Sequence, residues 1–410
     1  MRIPRLSHIA PKVHGLCCAS LVSCLVMAAC GTGAAVHAST PTGLAPALKD
    51  RNPSILEEAW AGYKTAFIEP DGRVIDPTRG GVTTSEGQGY ALLRAVWMGD
   101  QPAFDTVWHW TATNLETRDD GLFASLWSGG KVADANSASD ADSDIALALL
   151  YAARRFATSA LRQDALAVLD AIWQGEVVSI NRMNVLTAGN WAKTQVAPGP
   201  VINPSYFAPY AYRTFAREDP GHPWGTLIDS SYAVLGQCTD ATLGGAQSVG
   251  LPPNWCAISR STGAIVPFPT IAGADDYGYD AFRVMWRVAL DALWNHEARA
   301  RAYLARSAFL RTQWNSNRAL DAVYAHDGTA VSSYDDPTLY GGDIGNFLVT
   351  DPAGAAQIEQ ELLASFHPPA SATSATAYFG DSQNYFEQNW VWFGLALSSG
   401  VLVDLDRAGS

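Results

Sequence analysis

The amino-acid sequence predicts an all-α fold in which helices pack on helices. Two observations carry that expectation. Twelve segments place apolar residues at three- and four-residue spacing, whereas strand-like alternation is scarce, with Ala264 to Phe268 the best short candidate. No regular exchange of strands with helices appears, which argues against a parallel-sheet architecture.

Along the chain the expected helices cover 53–67, 86–98, 102–115, 142–156, 160–173 and 204–216, then 222–238, 280–294, 298–313, 340–351, 354–366 and 383–400. Gly/Pro/Asn-rich loops separate them. In 142–156, Ile145, Leu149, Ala152 and Phe156 recur at spacings of four and three, a core-facing stripe. In 280–294, Phe282, Met285, Trp286, Ala289 and Leu293 form another. No Pro-rich tract or second composition regime follows residue 50, so 51–410 reads as one domain without an appended module.

Ahead of it, Arg2, Arg5 and Lys12 precede an apolar run from Leu16 to Ala29, too short to span a bilayer. This reads as a signal peptide over 1–38, cleaved after Val36-His37-Ala38, followed by a Ser/Thr/Pro/Gly linker over 39–50. A periplasmic or secreted protein is expected. Met27-Ala28-Ala29-Cys30 resembles a lipobox and keeps a lipoprotein anchored through Cys30 as the alternative. Removing the leader takes four of the six cysteines and leaves Cys238 and Cys256. An even pair in an oxidising compartment reads as one disulfide, two buried thiols being the other reading.

Composition narrows the partners. Of 410 residues, 48% are hydrophobic, enough for a sizeable core, and the formal charge is −13, against nucleic acid or an anionic membrane surface. Fourteen Trp and fifteen Tyr offer flat faces that stack on sugar rings, although aromatic residues also serve as plain core. No CxxC or His-rich cluster suggests a metal site, and no cofactor is expected.

Three acidic stretches stand out. The first is Thr83-Thr84-Ser85-Glu86-Gly87-Gln88-Gly89-Tyr90, where Thr83/Glu86 and Ser85/Gln88 have capping-box spacing. Its other reading is a carboxylic acid among glycines that let a substrate approach the backbone. The second, Ala138-Ser139-Asp140-Ala141-Asp142-Ser143-Asp144, runs into an apolar helix. Its carboxylates suit the helix dipole, but three in five residues repel one another unless some bind a ligand. In the third, Asp275-Asp276-Tyr277-Gly278-Tyr279-Asp280-Ala281-Phe282-Arg283, Asp280 caps a helix or serves as a base beside Arg283 and Arg287.

Taken together, these stretches resemble glycoside hydrolase family 8. Ala138-Ser139-Asp140-Ala141-Asp142 with Ile145-Ala146 and a terminal Phe156 resembles the family signature. Thr84 to Ala91 resembles its acid motif, and Tyr279-Asp280-Ala281 with Arg283 its base motif. Asn203-Pro204-Ser205-Tyr206 and Asp71-Gly72-Arg73-Val74-Ile75-Asp76 match in the same order, and the likeness runs from about residue 55 to 400, most of all to members encoded with bacterial cellulose synthase. The resemblance implies an (α/α)6 barrel and a monomer acting on β-1,4-glucan, with a functional link to cellulose synthase. It implies Glu86 as proton donor, Asp280 as base, Asp140 as a further catalytic residue and Asp142 as a substrate contact. Trp127, after Asp120-Gly121-Leu122-Phe123, is similar to a sugar platform, and Tyr206, Tyr279 and Arg283 are expected at the substrate. The cysteine pair lies outside the family pattern.

The implied reaction is inverting hydrolysis by two carboxyl groups about 6.5–9.5 Å apart, wider than the roughly 5–5.5 Å of a retaining pair. Xylan and chitosan are rival substrates within the family. A catalytically inactive glucan-binding protein is the rival of another class.

Overall fold

The computed structural model describes residues 52–245, 247–370 and 376–407. The expected leader (1–38) with Cys30 and the linker (39–50) lie outside these residues. Among the described residues no helix is long and apolar enough to cross a membrane.

The helices in chain order are α1 (Asn52–Phe67), α2 (Ser85–Met98), α3 (Gln101–Asn114), α4 (Ser139–Arg155), α5 (Ser159–Gly175), α6 (Asn190–Thr194) and α7 (Pro209–Glu218). Then follow α8 (Trp224–Asp240), α9 (Arg283–Trp294), α10 (Ala298–Arg306), α11 (Ala308–Asn317), α12 (Pro337–Thr350), α13 (Pro352–Ala364) and α14 (Tyr385–Ser398). Six of them form an inner ring, in which α2 packs on α4, α4 on α7, α7 on α9, α9 on α12 and α12 on α14. Side chains close the ring from α14 back to α2: Arg94 Nη1 donates to Asn389 Oδ1 at 3.1 Å, and Tyr90 packs edge-on against Trp390 and Phe393. Each inner helix is backed by an outer one, α1 on α14, α3 on α2, α5 on α4, α8 on α7, α10 on α9 and α13 on α12. Inner and outer helices alternate along the chain, which makes the architecture an (α/α)6 barrel.

Burial explains the two layers. An inner helix meets protein on all sides and is buried all round. In α4 every residue from Ser139 to Ala152 is buried. Close approach matters as much as hydrophobicity. A Cβ at Gly341 would lie 2.1 Å from the Trp390 carbonyl oxygen and one at Gly345 2.5 Å from that of Met285, so α12 rests its backbone directly on α14 and α9. Arg94 is buried among the rings of Trp60, Tyr63 and Trp392, 4.3 to 5.1 Å from their centres. Burial lowers its pKa to about 9.

Several boundaries differ from the expectation. The segment 204–216 begins as a 3-10 turn, Pro204–Tyr206, and α7 starts only at Pro209, because a residue preceding proline is pushed out of the helical region. The segment 298–313 is two helices broken at Ser307, a buried residue whose hydroxyl donates to the Gly250 carbonyl at 3.0 Å. Short antiparallel strands were almost absent from the expectation. Three of them, β1 (Thr83–Thr84), β2 (Leu126–Ser128) and β3 (Lys131–Asp134), form one sheet. The hairpin of β4 (Val177–Ile180) and β5 (Met183–Leu186) is another. A third sheet runs β6 (Val201–Ile202), β7 (Cys256–Ile258) and β8 (Ile265–Val266), the last inside the Ala264–Phe268 candidate. The last pair is β9 (Phe366–His367) and β10 (Tyr378–Phe379).

Candidate active site

The acidic stretches converge because each ends at the N-terminus of an inner helix. Glu86 is the second residue of α2, Asp140 the second of α4, Arg283 the first of α9 and Tyr385 the first of α14. The free N–H groups and positive dipole ends of those helices favour negative charge at this mouth of the barrel.

Glu86 does not cap α2. Thr84 Oγ1 accepts from Gly87 N at 3.0 Å and is the cap. The Thr83 and Ser85 hydroxyls have no hydrogen-bond partner, and Gln88 turns inward to Val74 N and Thr111 Oγ1 at 2.6 and 2.7 Å. Neither capping-box spacing is therefore used as one. The Glu86 carboxyl accepts from Tyr385 Oη at 2.9 Å and from Arg283 Nη1 at 3.0 Å.

Arg283 is the centre of the group. Its Nη1 also reaches Asp140 Oδ2 at 2.9 Å and Tyr90 Oη at 3.2 Å, and its Nη2 donates to Asp280 Oδ1 at 2.5 Å. The Tyr206 ring lies 5.3 Å from the guanidinium carbon. One turn deeper, Arg287 grips Asp144 with two bonds of 2.8 and 2.7 Å, a buried bidentate pair beneath the first. Burial pushes Asp140 up to about 7, with Arg283 opposing and the Glu86 charge assisting.

Asp280 lies in the turn before α9. Its Oδ1 also accepts from Asn203 Nδ2 at 3.1 Å and its Oδ2 from Trp255 Nε1 at 2.9 Å. Its side chain is 30% exposed and that of Glu86 22%, so both reach solvent.

Two of the expected substrate contacts are buried among protein groups. Asp142 is 0% exposed: its Oδ1 accepts from Phe123 N at 3.3 Å, and it shares a buried environment with Glu176, whose carboxyl takes the Ser137 hydroxyl at 2.6 Å. Asp142 lies two residues after Asp140 on a helix, so it points to another side of α4. Burial and the neighbouring Glu176 raise its pKa well above the carboxylate range. Arg283 is 1% exposed, and its N–H groups serve carboxylates of the protein, so it organises the site from beneath.

The other expected contacts are partly exposed. Trp127 pairs with Thr83 across β1 and β2, close in sequence to Glu86, and packs edge-on against Trp110 at 5.5 Å. Tyr279 donates to Asp336 Oδ2 at 2.6 Å. Tyr206 packs against Trp255 at 5.7 Å. Sequence reasoning missed Tyr385, Asn254 and Trp255. Nothing local in Gln383-Asn384-Tyr385 or Pro253-Asn254-Trp255 marks them, because the contacts that make them important are long-range.

A family model for glycosyl hydrolases family 8 matches residues 34–392. The chain belongs to glycosyl hydrolases family 8. An endoglucanase from Cellulomonas uda is 35% identical over 218 residues, covering 52% of this chain and 57% of that one. A probable endoglucanase from Novacetimonas hansenii is 34% identical over 271 residues, covering 63% and 72%. The match thus spans little more than half the length of the first relative. Among solved structures, the family 8 endoglucanase Cel10 from Klebsiella pneumoniae superposes with a TM-score of 0.64 at 26% identity, over 82% of this chain and 98% of that one. Every inner-helix N-terminus discussed above falls within the family 8 match.

Proposed function

We propose that the protein is an endo-1,4-β-glucanase that hydrolyses internal β-1,4-glucosidic bonds with inversion. Glu86 donates a proton to the leaving glycosidic oxygen as the bond to the anomeric carbon breaks. Asp280 takes a proton from the water that attacks the opposite face of that carbon. Asp140 holds the sugar at the cleavage point, and Trp127, Tyr206 and Tyr279 contact the glucan. The observation that carries the reading is one guanidinium shared by three carboxyls: Arg283 binds Glu86 and Asp140 through Nη1 and Asp280 through Nη2. From beneath, this one cation gathers acid and base at one mouth while both side chains still reach solvent, the source of the attacking water. The endoglucanase names of relatives at 34 and 35% identity support the β-1,4-glucan as substrate.

The leader over 1–38 makes the protein periplasmic or secreted, with 51–410 as the catalytic domain and a Cys238–Cys256 disulfide formed after export. The tie to a cellulose synthase rests on motif resemblance alone. Reducing-end release from soluble cellulose, xylan and chitosan tests the activity. Release from cellulose with a rapid fall in viscosity is the expected result. Preferential cleavage of xylan or chitosan would reject the substrate, and cellulose binding without new reducing ends would reject the enzyme.

A further inference from the structure

We propose that Asn203 and Trp255 are positioning residues for Asp280, one for each carboxylate oxygen; this rests on reading Asp280 as the base. The two residues meet through strand register. β6 and β7 are antiparallel with Ile202 opposite Cys256. The residue after Ile202 and the residue before Cys256 therefore leave the ladder at the same end, side by side. These are Asn203 and Trp255. One gives Nδ2 to Asp280 Oδ1 at 3.1 Å and the other gives Nε1 to Oδ2 at 2.9 Å. A carboxylate held at one oxygen still swings about its Cβ–Cγ bond, whereas one held at both has its plane fixed.

The two donors are themselves fixed. The Asn203 Oδ1 accepts from Ser205 N and Oγ at 3.0 and 2.6 Å, which decides which end of the amide faces Asp280. The Trp255 ring is packed between Tyr206 and Trp191, at 5.7 and 6.4 Å. Its neighbour Asn254 fixes the backbone on the other side: Asn254 Oδ1 accepts from Gly278, Asp280 and Ala281 N–H at 3.2, 3.2 and 3.0 Å. The dipeptide Asn254-Trp255 thus sets both the main chain and the side chain of Asp280. Oδ1 carries Asn203 and Arg283, and Oδ2 carries Trp255. Oδ2, with the single donor, is the oxygen that receives the proton of the attacking water. Both donors are neutral, so they orient the carboxylate without adding charge.

Trp255→Phe keeps an aromatic ring and removes the N–H. In the full mature protein it should lower kcat on soluble cellulose by about 10–10²-fold, the loss that a small misplacement of a reacting group brings, with KM and melting temperature unchanged. In an Asp280→Asn background the same substitution should cause no further loss. Should Trp255→Phe fail to fold, Asn203→Leu carries the same test, because it is close in shape, stays uncharged and removes the donor to Asp280. A raised KM with normal kcat, or an equal loss in both backgrounds, would show that Trp255 contacts sugar directly and would overturn the proposal. An inactive Asp280→Asn beside fully active Trp255→Phe and Asn203→Leu variants would overturn the positioning role alone. Full activity of Asp280→Asn would remove the base itself, and the positioning role with it.

Discussion

Arg283 Nη2 sits 2.5 Å from Asp280 Oδ1, one turn away in sequence, while the other arm of the same guanidinium reaches Glu86. The bond is short and charge-assisted, and it needs the planar fork of arginine. A lysine has one point of charge and cannot serve Nη1 and Nη2 partners together. Arg283→Lys should therefore fold but lose about 10²-fold or more in kcat, the scale of a misplaced catalytic group. Steady-state kinetics on soluble cellulose check this. A variant with wild-type kcat would mean that the bridge is not needed to set the two carboxyls.

Glu86 should be indispensable as a proton donor and dispensable for folding. Thr84 caps α2, so nothing in the helix start depends on the Glu86 carboxyl. Glu86→Gln keeps an acceptor for Tyr385 and removes the acid. The expected outcome is an unchanged melting curve with activity down by about 10²–10⁴-fold, the usual share of a general acid. Retained activity in the folded variant would reject the acid role.

The buried carboxyl pair Asp142 and Glu176 should set a pH dependence of stability. Burial pushes Glu176 from its ordinary 4.5 up to about 8, with the Ser137 hydroxyl and Asp142 opposing. The folded state then holds a proton that the unfolded chain releases above pH 4.5. A bound proton in the folded state alone makes stability fall as pH rises, so the loss accumulates between pH 4.5 and about 8 and is absent below that window. Glu176→Gln removes the titrating group and keeps an acceptor for Ser137. Its melting temperature should fall less between pH 5 and 8 than that of the wild type. An identical fall in both would show that Glu176 is ionised in the fold.

Much of this architecture was readable from the sequence, and the unread part has a common cause. The inner helix α4 is legible because apolar residues recur at spacings of three and four, as at Ile145, Leu149 and Ala152, although the helix is buried all round. The acidic motifs marked Glu86, Asp140 and Asp280 in three separate stretches, and the fold brings them to one guanidinium. The hairpin of β4 and β5 went unseen because its turn is Asn181-Arg182, both with positive φ (48° and 66°), without the glycine that usually signals such a turn. The different surroundings of Asp140 and Asp142 were not legible, because two residues along a helix turn a side chain to a different face, and here that face meets Phe123 and Glu176. Tyr385 is 299 residues from its partner Glu86, a contact that no local pattern encodes.

The cysteines should be joined in the exported protein. Their sulfurs are in contact at 2.8 Å, both buried, as free thiols in this structure. An oxidising compartment would convert the pair into a link between the end of α8 and β7. Closing a loop of this size contributes about 3 kcal/mol in the chain-entropy picture. Titration of denatured, unreduced mature protein should find no thiols, and Cys238→Ser should lower the melting temperature. Two titratable thiols would establish the reduced pair as the native state.

The stereochemistry of the product is the sharpest test of how Glu86 and Asp280 divide the work. They approach one guanidinium from different helix starts, α2 and the turn before α9, and both side chains reach solvent. If water is admitted between them and Asp280 removes its proton, the oxygen arrives on the face opposite the leaving group. The first product from a β-linked glucan is then the α-anomer, visible by proton NMR before mutarotation. No covalent glycosyl-enzyme forms on this route, so none should be trapped in Asp280→Asn. A retaining enzyme would need its two carboxyls at about 5–5.5 Å and would release the β-anomer first. An initial β-anomer would therefore remove Asp280 from the water-activating role. Asp140, which shares Nη1 of Arg283 with Glu86, would become the candidate nucleophile in its place.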